Sequence, residues 1–81
     1  MSKTIQSIML NLGNRELNGD IQEFDIYNEI LDKQWTIRFE FFEDGLYMIA
    51  GSTVWFNNLD DVKEHLEDSF LSNNDFELIA N

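Results

Sequence analysis

The sequence contains no cysteine and no proline. Without cysteine there is no disulfide and no thiolate metal site. Secreted domains of this size normally depend on such staples, so the cytoplasm is the expected compartment. Cations are scarce: five lysines and arginines stand against sixteen acids, for a net charge of −11 over 81 residues. Holding a phosphate backbone needs clustered cations, so the composition argues against direct binding of nucleic acid and against an anionic membrane surface. Glycine occurs only at positions 13, 19, 45 and 51, without the clustering that cradles a phosphate. No run approaches the ~18 apolar residues of a membrane span. The segment MSKTIQSIML lacks the apolar run and small-residue cleavage site of a signal peptide.

What is present is hydrophobic and strongly aromatic, at 43% and 14% of residues. Large rings remove much apolar area each, so one soluble domain over residues 1–81 is expected to have a core despite its small size. Both tryptophans and four of the seven phenylalanines lie between Gln34 and Phe56. There Trp35, Ile37, Phe39 and Phe41 alternate with Thr36, Arg38, Glu40 and Phe42, the pattern of a half-buried strand. A second strand starts at Leu46, across Glu43-Asp44-Gly45. A three-residue loop pairs Phe42 with Leu46 and puts Tyr47 and Ile49 on the face of Phe39. A two-residue turn pairs Glu43 with Leu46 and puts Met48, Ala50 and Val54 there instead. Gly51-Ser52 marks a bulge or an end of pairing.

On either side of this hairpin the periodicity changes. Ile5, Ile8, Met9 and Leu12 recur as one helical face, with Ser2 as N-cap and Gly13 as a left-handed residue after the end. Asn18-Gly19 signals a turn. In residues 21–30, Phe24, Ile26 and Ile30 alternate with Glu23, Asp25 and Tyr27 as a strand, and Asn28 interrupts its apolar side. After an N-cap at Asn57 or Asn58, Leu59, Val62, Leu66 and Phe70 predict a helix to about Leu71, stopped by Ser72, Asn73 and Asn74. The segment 75–80 reads equally as strand, helical turn or strap. The expected fold is therefore α+β: a three-stranded antiparallel sheet with an N-terminal and a C-terminal helix, in the order α-β-β-β-α. Both helices would cover one face and leave the other solvated or free to bind.

Two constellations stand out. Around the second helix, Asp60, Asp61, Glu64, Glu67 and Asp68 fall opposite the apolar stripe. Acids three or four residues apart are neighbours and repel. Asp60 and Asp61 benefit from the positive helix end, whereas Glu67 and Asp68 lie at the negative end. Folding does not require this row, and a row of carboxylates can imitate a run of phosphates. The plainer reading is a solvated helix face. The second constellation is aromatic. Either hairpin register turns Phe42, and one of Trp55 or Phe56, away from the core. Beside Glu40, Glu43 and Asp44 these rings suit anchors in a partner interface. A covering tail or a homodimer contact would use them equally well.

Catalysis has weaker candidates. His65 follows Asp61 by four residues, a spacing that can share a metal ion, but the chain has no second histidine and no cysteine. Glu40 and Glu43 as an acid–base pair would lie on opposite faces of a continued strand. The expectation is no enzyme activity, no catalytic residue, no metal and no cofactor.

The acidic, cysteine-free chain and its element order resemble the small phage-encoded inhibitors of host defence, the DNA-mimic anti-restriction and anti-CRISPR proteins. That resemblance implies an inhibitor in the host cytoplasm whose acidic surface occupies the DNA-reading site of a nuclease. The order also resembles the double-stranded-RNA-binding fold, but that family needs a basic helix and this one is acidic.

Overall fold

The alternating apolar residues of 21–56 form strands, and the two stretches of helical period form helices. The structure, a computed structural model, describes residues 2–13, 21–69, 71 and 75–80. In chain order the elements are α1 (Lys3–Gly13), β1 (Ile21–Asn28), β2 (Lys33–Phe41), β3 (Leu46–Ala50), β4 (Ser52–Phe56), α2 (Leu59–Glu67) and β5 (Phe76–Ala80). The expected turn at Asn18-Gly19, the helical position of Phe70 and the stop at 72–74 lie outside the described residues.

The sheet has five antiparallel strands in the order β4-β3-β2-β1-β5, not three. Two local facts produce the difference. Gly51 takes a φ of +87, which costs glycine little and a side chain much. The chain reverses there, Ala50 meets Ser52, and one expected strand becomes two. At the far edge the segment Phe76–Ala80 extends and pairs with β1, with Asn28 opposite Phe76 and Ile26 opposite Leu78. α2 therefore carries the chain from one edge of the sheet to the other.

Neither expected hairpin register occurs. Phe41 pairs with Leu46, and Phe42–Gly45 forms the loop, closed by the Phe42 N–H donating to the Gly45 carbonyl at 2.8 Å. This register differs from the two-residue-turn alternative by an even step, so the faces match that alternative. Met48 and Val54 share the buried side with Phe39, and Tyr47 and Ile49 point outward.

Gly45 is required by a close approach. A Cβ there would run into the Phe56 carbonyl oxygen and lie 2.6 Å from Trp55 Cζ2. At the other end of β1, Asn28 is buried because it builds the turn, its Oδ1 accepting the Leu31 N–H at 2.8 Å. Ile30, expected on the strand's apolar side, lies in that turn and is exposed.

One hydrophobic cluster lies between the sheet and both helices. It contains Ile5, Ile8 and Leu12 of α1, Val62 and Leu66 of α2, and Phe24, Ile26, Ile37 and Phe39 of the central strands. Phe24 and Phe39 meet edge to face at 5.8 Å, a favoured geometry for rings.

Ser2 caps α1, its Oγ accepting the Ile5 N–H at 3.2 Å and donating to the Leu71 carbonyl at 2.7 Å. Thr4, also buried, donates to the Phe76 carbonyl at 2.6 Å. The Thr4 bond ties the first turn of α1 to β5, and the Ser2 bond ties the start of the helix to Leu71 beyond α2. Gly13 is the final helical residue and has no positive φ, so the expected left-handed cap is absent there. α2 stops at Glu67, short of Leu71, because the Ser69 hydroxyl donates to the Leu66 carbonyl and then accepts the Leu71 N–H. Side-chain bonds of this kind compete with helix continuation.

Candidate functional site

The acidic ridge depends on how α2 begins. Asn58 is extended, at φ −160 and ψ 173, and its Oδ1 accepts the Asp61 N–H at 2.9 Å, which satisfies one of the free donors of the first turn. From that start, Val62 and Leu66 face the core. Asp60, Glu64, Glu67 and Asp68 are exposed on the other side, and Asp61 is half-buried. The only cation in the helix is Lys63. The five carboxylates therefore share one outward ridge, as their spacing predicts.

His65 is exposed and its ring stacks edge-on with Phe56 at 5.2 Å. That contact accounts for its place at the margin of the apolar stripe. Among the described residues, no group of three or more His, Cys, Asp or Glu side chains is arranged to hold a metal ion.

The open face of the sheet carries the second constellation. Pairing places Glu40, Tyr47 and Trp55 in one row across β2, β3 and β4. Phe42 joins them from the loop. Ring centroids are 4.8 Å apart for Tyr47 and Trp55, 5.6 Å for Phe42 and Tyr47, and 6.3 Å for Phe42 and Trp55. The rings remain 37% to 55% exposed. The Trp55 indole N–H donates to Asn57 Oδ1 at 3.1 Å, and Gly45 lies directly against that ring. The cluster is thus held from below and from the side.

Phe56, also expected as a surface anchor, points the other way and is 7% exposed. The strand period of two separates it from Trp55. Its ring serves the core rather than the open face.

The expected surface is therefore divided. The ridge of α2 points away from the sheet on its helix-covered side, whereas Glu40, Tyr47 and Trp55 occupy the uncovered side. Glu43 and Asp44 are exposed at the end between them. Their loop lines an open groove of about 360 Å³ together with Asn57, Asn58 and Leu59, beside the start of α2. These two acids adjoin both faces.

Sequence reasoning missed a third group, created by the pairing of β1 with β5. Glu29 follows β1, and Glu77 lies opposite Tyr27. The Glu29 carboxyl is held above its ordinary value, first by a hydrogen bond to Glu77, then by that residue's negative charge and by desolvation. The Tyr27 hydroxyl is raised as well. The largest cause is its 2.6 Å hydrogen bond to Asp32, followed by desolvation and the charge of Asp32. Neither pair lies among the ridge or ring residues. A further open groove, about 620 Å³, runs between Ser2, Thr4 and Ser7 at the start of α1 and Phe76 and Leu78 of β5.

Among the described residues, no helix is long and apolar enough to cross a membrane. No known protein family, curated protein or solved structure matches the chain.

Proposed function

We propose that this chain is a non-enzymatic binding protein of the cytoplasm. It blocks a basic, nucleic-acid-binding protein partner, such as a host nuclease, by presenting carboxylates in place of phosphates. The observation that carries this reading is the ridge of α2. Asp60, Glu64, Glu67 and Asp68 stand exposed in a single row beside Asp61. Like charges at this spacing weaken a helix, and acids at its C-terminal end gain nothing from the dipole. An arrangement that opposes folding is best understood as serving recognition. Net charge of −11 draws a basic surface toward the ridge over long range.

The test is capture of the partner from a bacterial lysate, followed by purified binding at rising salt and against duplex DNA or RNA. The triple variant Asp61→Lys, Glu64→Lys, Asp68→Lys serves as control. Affinity should fall steeply with ionic strength, nucleic acid should displace the chain, and the variant should not bind. A complex indifferent to salt and to nucleic acid would remove the proposal.

A second reading is favoured by the exposed Phe42, Tyr47 and Trp55: an assembly module that pairs with its own copy through the open sheet face. Sedimentation distinguishes the two, since this reading requires a stable dimer that leaves α2 free.

A further inference from the structure

We propose that the Phe42–Tyr47–Trp55 cluster seats an arginine side chain of the basic partner. This rests on the reading of the chain as a binder of basic proteins, and it names the chemistry of one contact on the face opposite the ridge.

The rings meet one another edge to face, at interplanar angles of 89° for Phe42 with Tyr47 and 66° for Tyr47 with Trp55. Each such contact covers part of one ring face, but the rings remain 37% to 55% exposed, so their faces stay partly open to solvent. Those faces carry the negative part of the ring quadrupole, and tryptophan attracts cations best. Glu40 is paired with Tyr47 in the same cross-strand row, and the exposed Glu43 and Asp44 continue the loop that holds Phe42. A cation over the rings would meet carboxylates at the edge of its seat.

The sheet's own arginine starts from a different row. Arg38 lies in the next row, between Glu23 and Ile49. The Asn57 bond and the Gly45 contact fix Trp55 before any partner arrives, so little ordering is needed on binding. A planar guanidinium stacks on such a surface, whereas an ammonium is a strongly hydrated point charge. The seat therefore prefers arginine to lysine. A second copy of the chain is a poor occupant, because two molecules of net charge −11 repel.

The experiment titrates the whole isotope-labelled chain with nona-arginine and separately with nona-lysine, following the Trp55 indole N–H by NMR. The arginine peptide should shift that resonance and bind about fivefold more tightly than the lysine peptide. Trp55→Ala, followed by the Tyr47 backbone amide instead, should abolish the preference. Phe42→Ala, which alters only an exposed loop ring, should reduce it and keeps the test open if the tryptophan variant unfolds. Neutralising the ridge with Glu64→Gln, Glu67→Gln and Asp68→Asn should weaken both peptides equally and preserve the preference. Equal affinities with an unmoved Trp55 signal would overturn the arginine seat while leaving the ridge reading intact. A ridge variant that binds both peptides unchanged would count against the ridge reading alone. A peptide-free dimer that buries Trp55 would also overturn the seat and give the face to a second copy.

Discussion

Glu64 is the residue at which the ridge opposes folding most strongly. It stands three or four positions from Asp60, Asp61, Glu67 and Asp68, so it takes part in four like-charge pairs on one helix face. Each pair at this spacing costs about 0.2–0.5 kcal/mol, so Glu64→Gln should stabilise the chain by roughly 1 kcal/mol at low salt. Its favourable counterpart is weak, since Lys63 is adjacent in sequence and points elsewhere around the helix. Glutamine has nearly the same helix propensity as glutamate, and the carboxylate is exposed, so little else changes. For a domain of this size the gain corresponds to a rise in Tm of about 4–8 °C. Thermal unfolding of both proteins at 20 mM and 500 mM salt provides the assay. The advantage should shrink at high salt, where the Debye length falls to a few ångströms. Wild type equal to the variant at low salt, or a gain that persists at high salt, would refute the claim that the ridge is costly to the fold. The ridge would then need no role in recognition to account for it.

Two further outcomes follow from the contacts at the sheet's added edge. Thr4→Val keeps the shape of the side chain and removes the 2.6 Å bond to the Phe76 carbonyl. Stability should drop by about 1–2 kcal/mol, with β5 amides losing hydrogen-exchange protection before those of β2, and an unchanged β5 would contradict the edge pairing. Glu29 is held above its ordinary value in the folded state, so its contribution to stability is fully present below the unfolded value and is lost as pH rises through the raised one. Glu29→Gln should therefore exceed wild type in urea midpoint at pH 7. The gap should close as pH falls toward 4, and a gap that widens on acidification would show the sign to be wrong.

Much of the local structure was legible in the sequence. The helical face of Ile5, Ile8 and Leu12, the alternation of β2, the Ser2 cap, a cap of α2 at Asn57 or Asn58 and the outward ridge of α2 all follow from periodicity and from side chains that reach their own backbone. Which elements pair was not legible. Gly51 reads as a bulge or as an end of pairing until the neighbouring strand is placed, and the reversal there was not foreseen. The segment Phe76–Ala80 is too short for its period to identify it, and its partner β1 is distant in sequence. The hairpin loop took neither expected length, although parity still put Met48 and Val54 inside.

The same distinction applies to the candidate surfaces. Charge at helical spacing determined that Asp60, Asp61, Glu64, Glu67 and Asp68 share one side of α2, because that depends only on the turn of the helix. Tertiary structure alone decided that Trp55 is exposed and Phe56 buried. It also decided that the rings face away from the ridge, and that Glu29 meets Glu77. The physical reason is range. Helix and strand periods are set by neighbours a few residues apart, whereas the facing of one element toward another is set by burial across the whole chain.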